Sequence, residues 1–312
     1  MSIKYGMITG ESNEDYHGNA CVSASTIKDF IKSEYLYYRK HIKRDCKQET
    51  TKAMTFGSVV HEYILERDVF DSNYAVNSYS GATKEGRLRK AEIIEAGQKA
   101  ITASELAEIQ RLSDAVYANP VAKSLLSHGK AEVSWRTNAG AFDMQSRTDW
   151  FIDEPTPEQI AMLQANGQNI KAGQPVIVDL KTTQELDAWR RNNYGNAIHQ
   201  FSYHLQLAIY LAVINKIRKE QGKEICRHFL FVVVEKKPPY DCAVIVLSER
   251  SFGLAQTQLK EYLKRLTACY ERNGWSGYKD QGIIEAGIPE NICQREEQEM
   301  FEDRDFTGIP FE

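Results

Sequence analysis

Two hydrophobic periods alternate along this chain. Near the N-terminus, "SASTIKDFIKSEYLYYRKHI" opens on Ser/Thr caps and carries apolar side chains at Ile27, Phe30, Ile31 and Tyr35, which predicts one helix. "FGSVVHEYILE" predicts another. After a charged segment, 84 to 99, and a helix near 104 to 118, the period falls to two. "AEVSWRT" and "FDMQSRTDWFI" predict strands joined by an Asn138-Ala139-Gly140 turn. In the second strand Asp143, Gln145, Arg147 and Asp149 share one face, the polar one. Thr156 as cap, Pro157 in the first turn and Asn166-Gly167 as a stop describe a short inserted helix between about 154 and 175. "QPVIVDLKTTQ" is a third strand, and a long helix is expected from Tyr194 to about Lys219. "HFLFVVVE" and "CAVIVLS" are strands around Lys236-Lys237-Pro238-Pro239, and Glu249 to Arg272 is a closing helix. The order β-β-β-α-β-β-α calls for a mixed sheet flanked by helices, α/β or α+β.

The third strand raises a chemical question. Val176, Val178 and Leu180 fall on one face; Ile177, Asp179 and Lys181 fall on the other. An acid and a lysine therefore stand side by side on a strand whose remaining residues suit a buried position.

Composition changes this picture little. The 312 residues are 42% hydrophobic and 26% charged, enough for one large domain or two modest ones. The most apolar window, Leu205 to Ile214, is interrupted by Gln206 and is far short of a membrane span, so a cytosolic protein without membrane contact is expected. Six cysteines form no CxxC pair and read as reduced thiols, with no zinc site or iron–sulfur cluster indicated.

The charge distribution is more informative. Residues 285 to 312 hold nine acids and two arginines, so a net charge of −4 leaves +3 on the first 284. The expectation is one domain over 1–284 with an N-terminal helical region, followed by an acidic tail. In that tail Glu302, Asp303 and Asp305 precede Ile309-Pro310-Phe311, a pattern similar to the acidic tails by which bacterial single-stranded DNA-binding proteins recruit partners, except that Glu312 follows the phenylalanine; a flexible solvated end, and a tail that competes with DNA for the basic body, are the other readings. Lys28 to Lys52 holds eight Lys/Arg against four Asp/Glu, interleaved with Tyr35, Tyr37 and Tyr38. That mixture suits phosphates and stacked bases, although a solvated helix face has the same composition.

Carboxylates at neighbouring strand ends can hold a hard divalent cation, and a lysine beside them can orient or help deprotonate a water. Asp149 followed by Asp179-Leu180-Lys181 supplies these parts. A rim ion pair is the competing reading of a single DxK. His61, Glu132, and Gln206 with Tyr210 one helical turn apart, complete a longer ordered set.

That set resembles the RecE-type exonucleases (exonuclease VIII) of the PD-(D/E)XK superfamily, in the branch that includes the RecB nuclease domain. "SASTIKDFIKSEYLYYRKH" is similar to the family's Ser-x-Ser-x-Leu helix and "FGSVVHEYILE" to its Gly-x-x-x-His helix. "RTDW" and "VDLKTT" are similar to its Arg-Pro-Asp and Asp-x-Lys-Thr-Thr elements, and "YHLQLAIY" to its Gln-x-x-x-Tyr helix. Thr148 replaces the usual proline, and the 154–175 insertion lengthens the spacing from Asp149 to Asp179.

The resemblance implies a PD-(D/E)XK core with Mg²⁺, or Mn²⁺ in its place, held by His61, Asp149, Asp179 and the Leu180 carbonyl. Glu132 is a less secure carboxylate of the set. Lys181 would position the nucleophilic water, while Gln206 and Tyr210 would support the site or contact DNA. It further implies 5′→3′ digestion of double-stranded DNA ends by a ring-shaped homo-oligomer that works with a single-strand annealing protein in recombination, as is common in phages and prophages. Two alternatives stay open at this point: an endonuclease on the same fold, and a noncatalytic DNA- or protein-binding module.

Overall fold

The computed structural model describes residues 3–46 and 52–302. Its main unit, Met1–Trp275, begins with strand β1 (Gly6–Ile8) and helix α1 (Asn13–Gly18). Helices α2 (Ala24–Lys32) and α3 (Glu34–Tyr37) follow, continued by a π-helical turn over Tyr38–Ile42. Next come α4 (Lys52–Leu65), α5 (Arg67–Asn73), β2 (Tyr74–Asn77), α6 (Lys84–Glu95), β3 (Lys99–Thr102), α7 (Ala103–Ala118) and α8 (Pro120–Leu125). The centre of the chain is β4 (Lys130–Asn138), β5 (Asp143–Ile152), α9 (Pro157–Ala165) and β6 (Val176–Thr183). It closes with α10 (Ala197–Gln200), α11 (Tyr203–Glu220), β7 (His228–Glu235), β8 (Cys242–Val246) and α12 (Glu249–Arg272). Residues 276–312 form a separate compact unit containing α13 (Glu290–Glu302). The Asp303 to Phe311 pattern of the acidic tail lies outside the described residues.

Six strands form one mixed sheet in the order β1-β4-β5-β6-β7-β8. All neighbours are antiparallel except β6 and β7, which run parallel because α11 carries the chain back between them. Strand alternation sorts the core into two layers. Ile177, Phe229, Phe231 and Val233 pack with α2, α11 and α12 on one face. Val176, Val178, Leu180, Leu230 and Val232 pack with α4 and α7 on the other. A strand covered on both sides reads as a continuous apolar run, so Asp179 and Lys181 enter the first layer as charges among apolar neighbours.

Capping residues fix the helix starts. Ser23 with Thr26, Thr102 with Glu105, and Thr156 with Gln159 form reciprocal capping boxes on α2, α7 and α9, the last with Pro157 in its first turn.

Two local expectations change, and two stretches left open by the sequence are filled in. The single helix expected from Ser23 is broken at Ser33, whose extended backbone (φ −168°) ends α2 while its hydroxyl accepts from the Leu36 N–H and caps α3. The helix expected from Tyr194 starts at Ala197 and breaks at Ser202, which adopts φ +54° between α10 and α11. Within the charged 84–99 segment, Lys84–Glu95 form helix α6, capped by Thr83, and the chain then turns into β3 at Lys99. The polar row of β5 is not a solvated face: Gln145 and Arg147 are buried beneath the segment from Glu11 to Tyr16.

Candidate metal and active site

The site forms where β5 and β6 part. Their ladder pairs Trp150 with Val178, Phe151 with Ile177 and Ile152 with Val176, then stops. Beyond it the Asp149 carboxylate takes the place of a backbone partner, accepting the Leu180 N–H at 2.8 Å. On its other side, the β4–β5 ladder skips the Glu132–Asp149 position, and Glu132 has φ +48°. A non-glycine residue there costs about 1 kcal/mol, and such strain gathers at functional sites. Asp149 is thus released from regular pairing on both sides.

Helix α4 completes the cluster. Val59, Val60, Tyr63 and Ile64 bury one stripe of it, which turns His61 toward the strand ends. His61 Nδ1 lies 3.4 Å from Asp149 Oδ2. One donor atom from each of His61, Glu132 and Asp149 lies within 4.8 Å of the others.

Asp179 is placed differently. It is wholly buried, its Oδ1 accepts Gln206 Nε2 at 2.7 Å, and its Oδ2 is ion-paired with the Lys181 ammonium. Lys181 Nζ is also 3.5 Å from the Leu180 carbonyl and 5.4 Å from the Tyr203 ring centre. Gln206 and Tyr210 share a face of α11 and line the same cleft of about 710 Å³ as His61, Glu132 and Asp149. Five of the residues named in the sequence, His61, Glu132, Asp149, Gln206 and Tyr210, thus line one cleft, and Asp179 and Lys181 lie behind it, joined through Gln206, so that Glu132 rather than Asp179 stands in the three-donor cluster.

Electrostatics follow from crowding like charges in a poorly hydrated place. Burial and then Asp149 push the Glu132 carboxyl up to about 8, with Glu66 and Glu62 adding and Arg147 opposing. Asp149 is raised by burial, against the pull of Lys181 and the Leu180 N–H. Asp179 is pushed up to about 6 by burial and by Asp149, although Lys181 opposes the shift. Burial disfavours the Lys181 charge, but Asp179 and Asp149 outweigh it and hold the ammonium well above the ordinary lysine range. His61 is lowered to about 4 by burial and by Lys181, so its imidazole is neutral at pH 7.

This donor set fits a hard divalent cation. Carboxylate oxygens with one neutral imidazole suit Mg²⁺ or Mn²⁺, and a doubly positive ion relieves both the desolvation of these carboxylates and the repulsion that Asp149 exerts on Glu132 and Asp179.

The cleft also holds two cations that the sequence did not place in the catalytic set. Arg147 donates to Ser134 Oγ (3.0 Å), Asn13 Oδ1 (2.7 Å) and the Glu11 and Ser12 carbonyls, and stands 3.6 Å from Glu132. It belongs to "RTDW", but its partners outside the sheet come from an aperiodic N-terminal segment. Lys28 donates to the Phe201 carbonyl at 2.6 Å, and burial, then Lys181, lowers its pKa to about 8. Its position on α2 was visible; its approach to Lys181 depends on the break at Ser202.

A family described as "PDDEXK-like domain of unknown function (DUF3799)" matches residues 23–156 and 168–284. The chain belongs to this PDDEXK-like family. The match begins at the N-cap of α2 and steps over 157–167, which is α9 and the turn after it. Glu132, Asp149, Asp179 and Lys181 all lie within the matched residues. Among solved structures, one described as a "Putative exonuclease" from Eubacterium rectale has the same fold. It is 14% identical with a TM-score of 0.56, covering 92% of this chain and 98% of its own. A second, SSO0001, is also 14% identical, covers 66% of this chain and 84% of its own, and has a TM-score of 0.25. No curated protein matches. No helix among the described residues is long and apolar enough to cross a membrane.

Proposed function

We propose that this PDDEXK-like protein is a metal-dependent nuclease hydrolysing DNA phosphodiester bonds from duplex ends. The observation that carries the reading is the three-donor cluster of His61, Glu132 and Asp149 beside the buried Asp179–Lys181 pair. His61, Glu132 and Asp149 would hold Mg²⁺ or Mn²⁺, with Asp179 and the Leu180 carbonyl in reserve as further oxygen donors. The bound cation would polarise the phosphorus–oxygen bond and favour ionisation of water.

The chain's own groups do the remaining work. Gln206 and Lys181 fix the Asp179 carboxylate between them. Lys181, held protonated, orients the attacking water and offsets negative charge developing on phosphate, which makes it a poor proton acceptor. Tyr210, its hydroxyl kept neutral chiefly by burial, stands on the cleft wall as a hydrogen-bond donor. Attack at phosphorus forms one P–O bond to water and breaks the P–O bond to the leaving sugar oxygen, which takes up a proton.

The 5′→3′ direction, the 3′ single-stranded overhangs left for annealing, the ring-shaped oligomer and an annealing-protein partner are included in the proposal. They rest on the motif resemblance to RecE-type exonucleases. The test is linear duplex DNA labelled at the 5′ or the 3′ end, incubated with Mg²⁺, with Mn²⁺ or with chelator, beside a covalently closed circle. Release of the 5′ label first, with the circle and the chelated sample intact, is the expected result. A cut circle overturns the requirement for an end, and cleavage in chelator overturns the metal.

A further inference from the structure

Helix α2 leaves the cleft with Lys28 on the cleft wall and ends at Ser33, where the chain turns into α3 and the π-helical turn Tyr38–Ile42. Asp29, next to Lys28, ties this turn back: its Oδ2 is 3.2 Å from Lys40 Nζ and 3.0 Å from His41 Nε2. The turn is therefore fastened to α2 one residue along from the cleft wall.

That surface is a column of rings with cations around it. Buried Tyr37 stacks on Trp275 (5.4 Å between centres, 23°), Trp275 on Tyr38 (5.9 Å, 22°), and Tyr38 on Tyr35 (6.5 Å, 28°). The column is rooted in the core and ends half-exposed. The Arg39 guanidinium lies 5.6 Å from the Tyr35 ring centre and donates to its hydroxyl at 2.9 Å. Lys32, Lys43 and Arg44 are exposed nearby, and Lys32 makes no ion pair among the described residues. Asp45 pairs with Arg39 and Lys43 at the surface, where phosphate can replace a carboxylate at little loss. Glu34 is already engaged by Arg265 and Arg272.

Phosphate binding alone would need only the cations. Rings stacked among them are what an unpaired base can use, because every base has a π face whereas a duplex hides its own. A π-helical turn is also rare and tends to mark functional positions.

We propose that Tyr35, Tyr38 and Arg39, flanked by Lys32, Lys43 and Arg44, hold a single strand of DNA beside the cleft without regard to sequence. This rests on the phosphodiesterase reading of the cleft and adds where an unpaired segment of the substrate lies.

The test is fluorescence anisotropy with a labelled oligo-dT and with a blunt duplex of equal length, in chelator. Wild type is compared with the pair Tyr35→Ala/Tyr38→Ala, the pair Tyr35→Phe/Tyr38→Phe, and Arg39→Glu. The alanine pair should weaken oligo-dT binding about tenfold or more, and the phenylalanine pair should stay within about twofold of wild type because the ring faces remain. Arg39→Glu should weaken binding and reduce the salt slope by about 0.7 for each phosphate that is no longer neutralised. Duplex binding should change less than single-strand binding in each case.

Hydrolysis of bis(4-nitrophenyl) phosphate with Mn²⁺, an ester too small to reach this surface, should be the same for all four proteins. Unchanged oligo-dT affinity in the alanine pair overturns the proposal, as does equal loss on duplex and single strand. If the alanine pair melts early, Arg39→Glu decides, since it leaves the ring column intact and unchanged affinity there is equally fatal. Wild type that cuts neither the small ester nor labelled duplex overturns the nuclease reading, while oligo-dT binding still judges this surface.

Discussion

Replacing Glu132 with Gln should make the metal-free protein more stable while weakening its response to metal. Burial and Asp149 raise this carboxyl from 4.5 to about 8. An acid whose folded pKa is raised binds its proton more tightly folded than unfolded, so stability falls as pH rises through that window and is flat on either side. At ~1.4 kcal/mol per unit, the penalty is about 3 kcal/mol at pH 7 and about 5 kcal/mol above pH 8. The side chain is 27% exposed, and water entering the cleft screens the repulsion, so a recovery of about 2 kcal/mol at pH 8 is the working figure. At roughly 2–4 °C per kcal/mol for a chain of this size, that is on the order of 5 °C in Tm. Glutamine keeps the shape of the side chain and its positive φ, so the backbone strain cancels in the comparison.

The assay is thermal unfolding of both proteins in chelator at pH 5 and pH 8, then at pH 8 with Mn²⁺. The difference should be small at pH 5 and near 5 °C at pH 8. Mn²⁺ should raise the wild-type midpoint more than that of Glu132→Gln. A variant no more stable than wild type at pH 8 would refute the idea that these carboxylates are crowded at the expense of the fold.

Three further outcomes follow from the same geometry. Lys181→Ala should lower cleavage about 10²–10³-fold, as for loss of one preorganised donor, with Mn²⁺ binding by calorimetry largely retained; near-wild-type cleavage would remove Lys181 from the mechanism. His61→Ala should raise the metal concentration needed for half-maximal cleavage, with partial recovery in excess Mn²⁺, since imidazole favours Mn²⁺ over Mg²⁺; an unchanged metal titration would return His61 to a packing role. Gly129→Ala should destabilise by about 1–3 kcal/mol in denaturant unfolding, because a Cβ there would sit 2.3 Å from Trp150 Nε1 and 3.0 Å from the Phe151 carbonyl.

Which parts of this were legible in the sequence depends on what each part rests on. Period-two alternation separated Asp179 and Lys181 from Val178 and Leu180 without any tertiary information, and the structure sends the two sets into different core layers. That Gln206 and Tyr210 share a helix face followed from their spacing, whereas their choice as site residues came from the motif resemblance. The breaks at Ser33 and Ser202 were not legible: serine is tolerated inside helices, and only tertiary packing decides that these two leave the helix. Nor was the burial of Gln145 and Arg147. Their cover, Glu11 to Tyr16, has no periodic pattern, and its grip on them is made largely of hydrogen bonds and an ion pair spanning more than 120 residues.

Glu132 shows the limit most clearly. On "AEVSWRT" it occupies an ordinary strand position, and nothing in the alternation distinguishes it. The structure gives it φ +48°, interrupts its pairing with Asp149, and brings its carboxylate against Asp149, Glu62 and Glu66 with Arg147 alongside. The positive φ, the gap in the ladder and the crowded carboxylates each oppose stability, Arg147 offsets only part of this, and all converge on one cluster. A sheet free to choose would restore the missing pair and neutralise the charge. That it does neither is intelligible if the gap in the ladder exists to point three donors at a common centre, with the repulsion among them supplying part of the attraction for a cation.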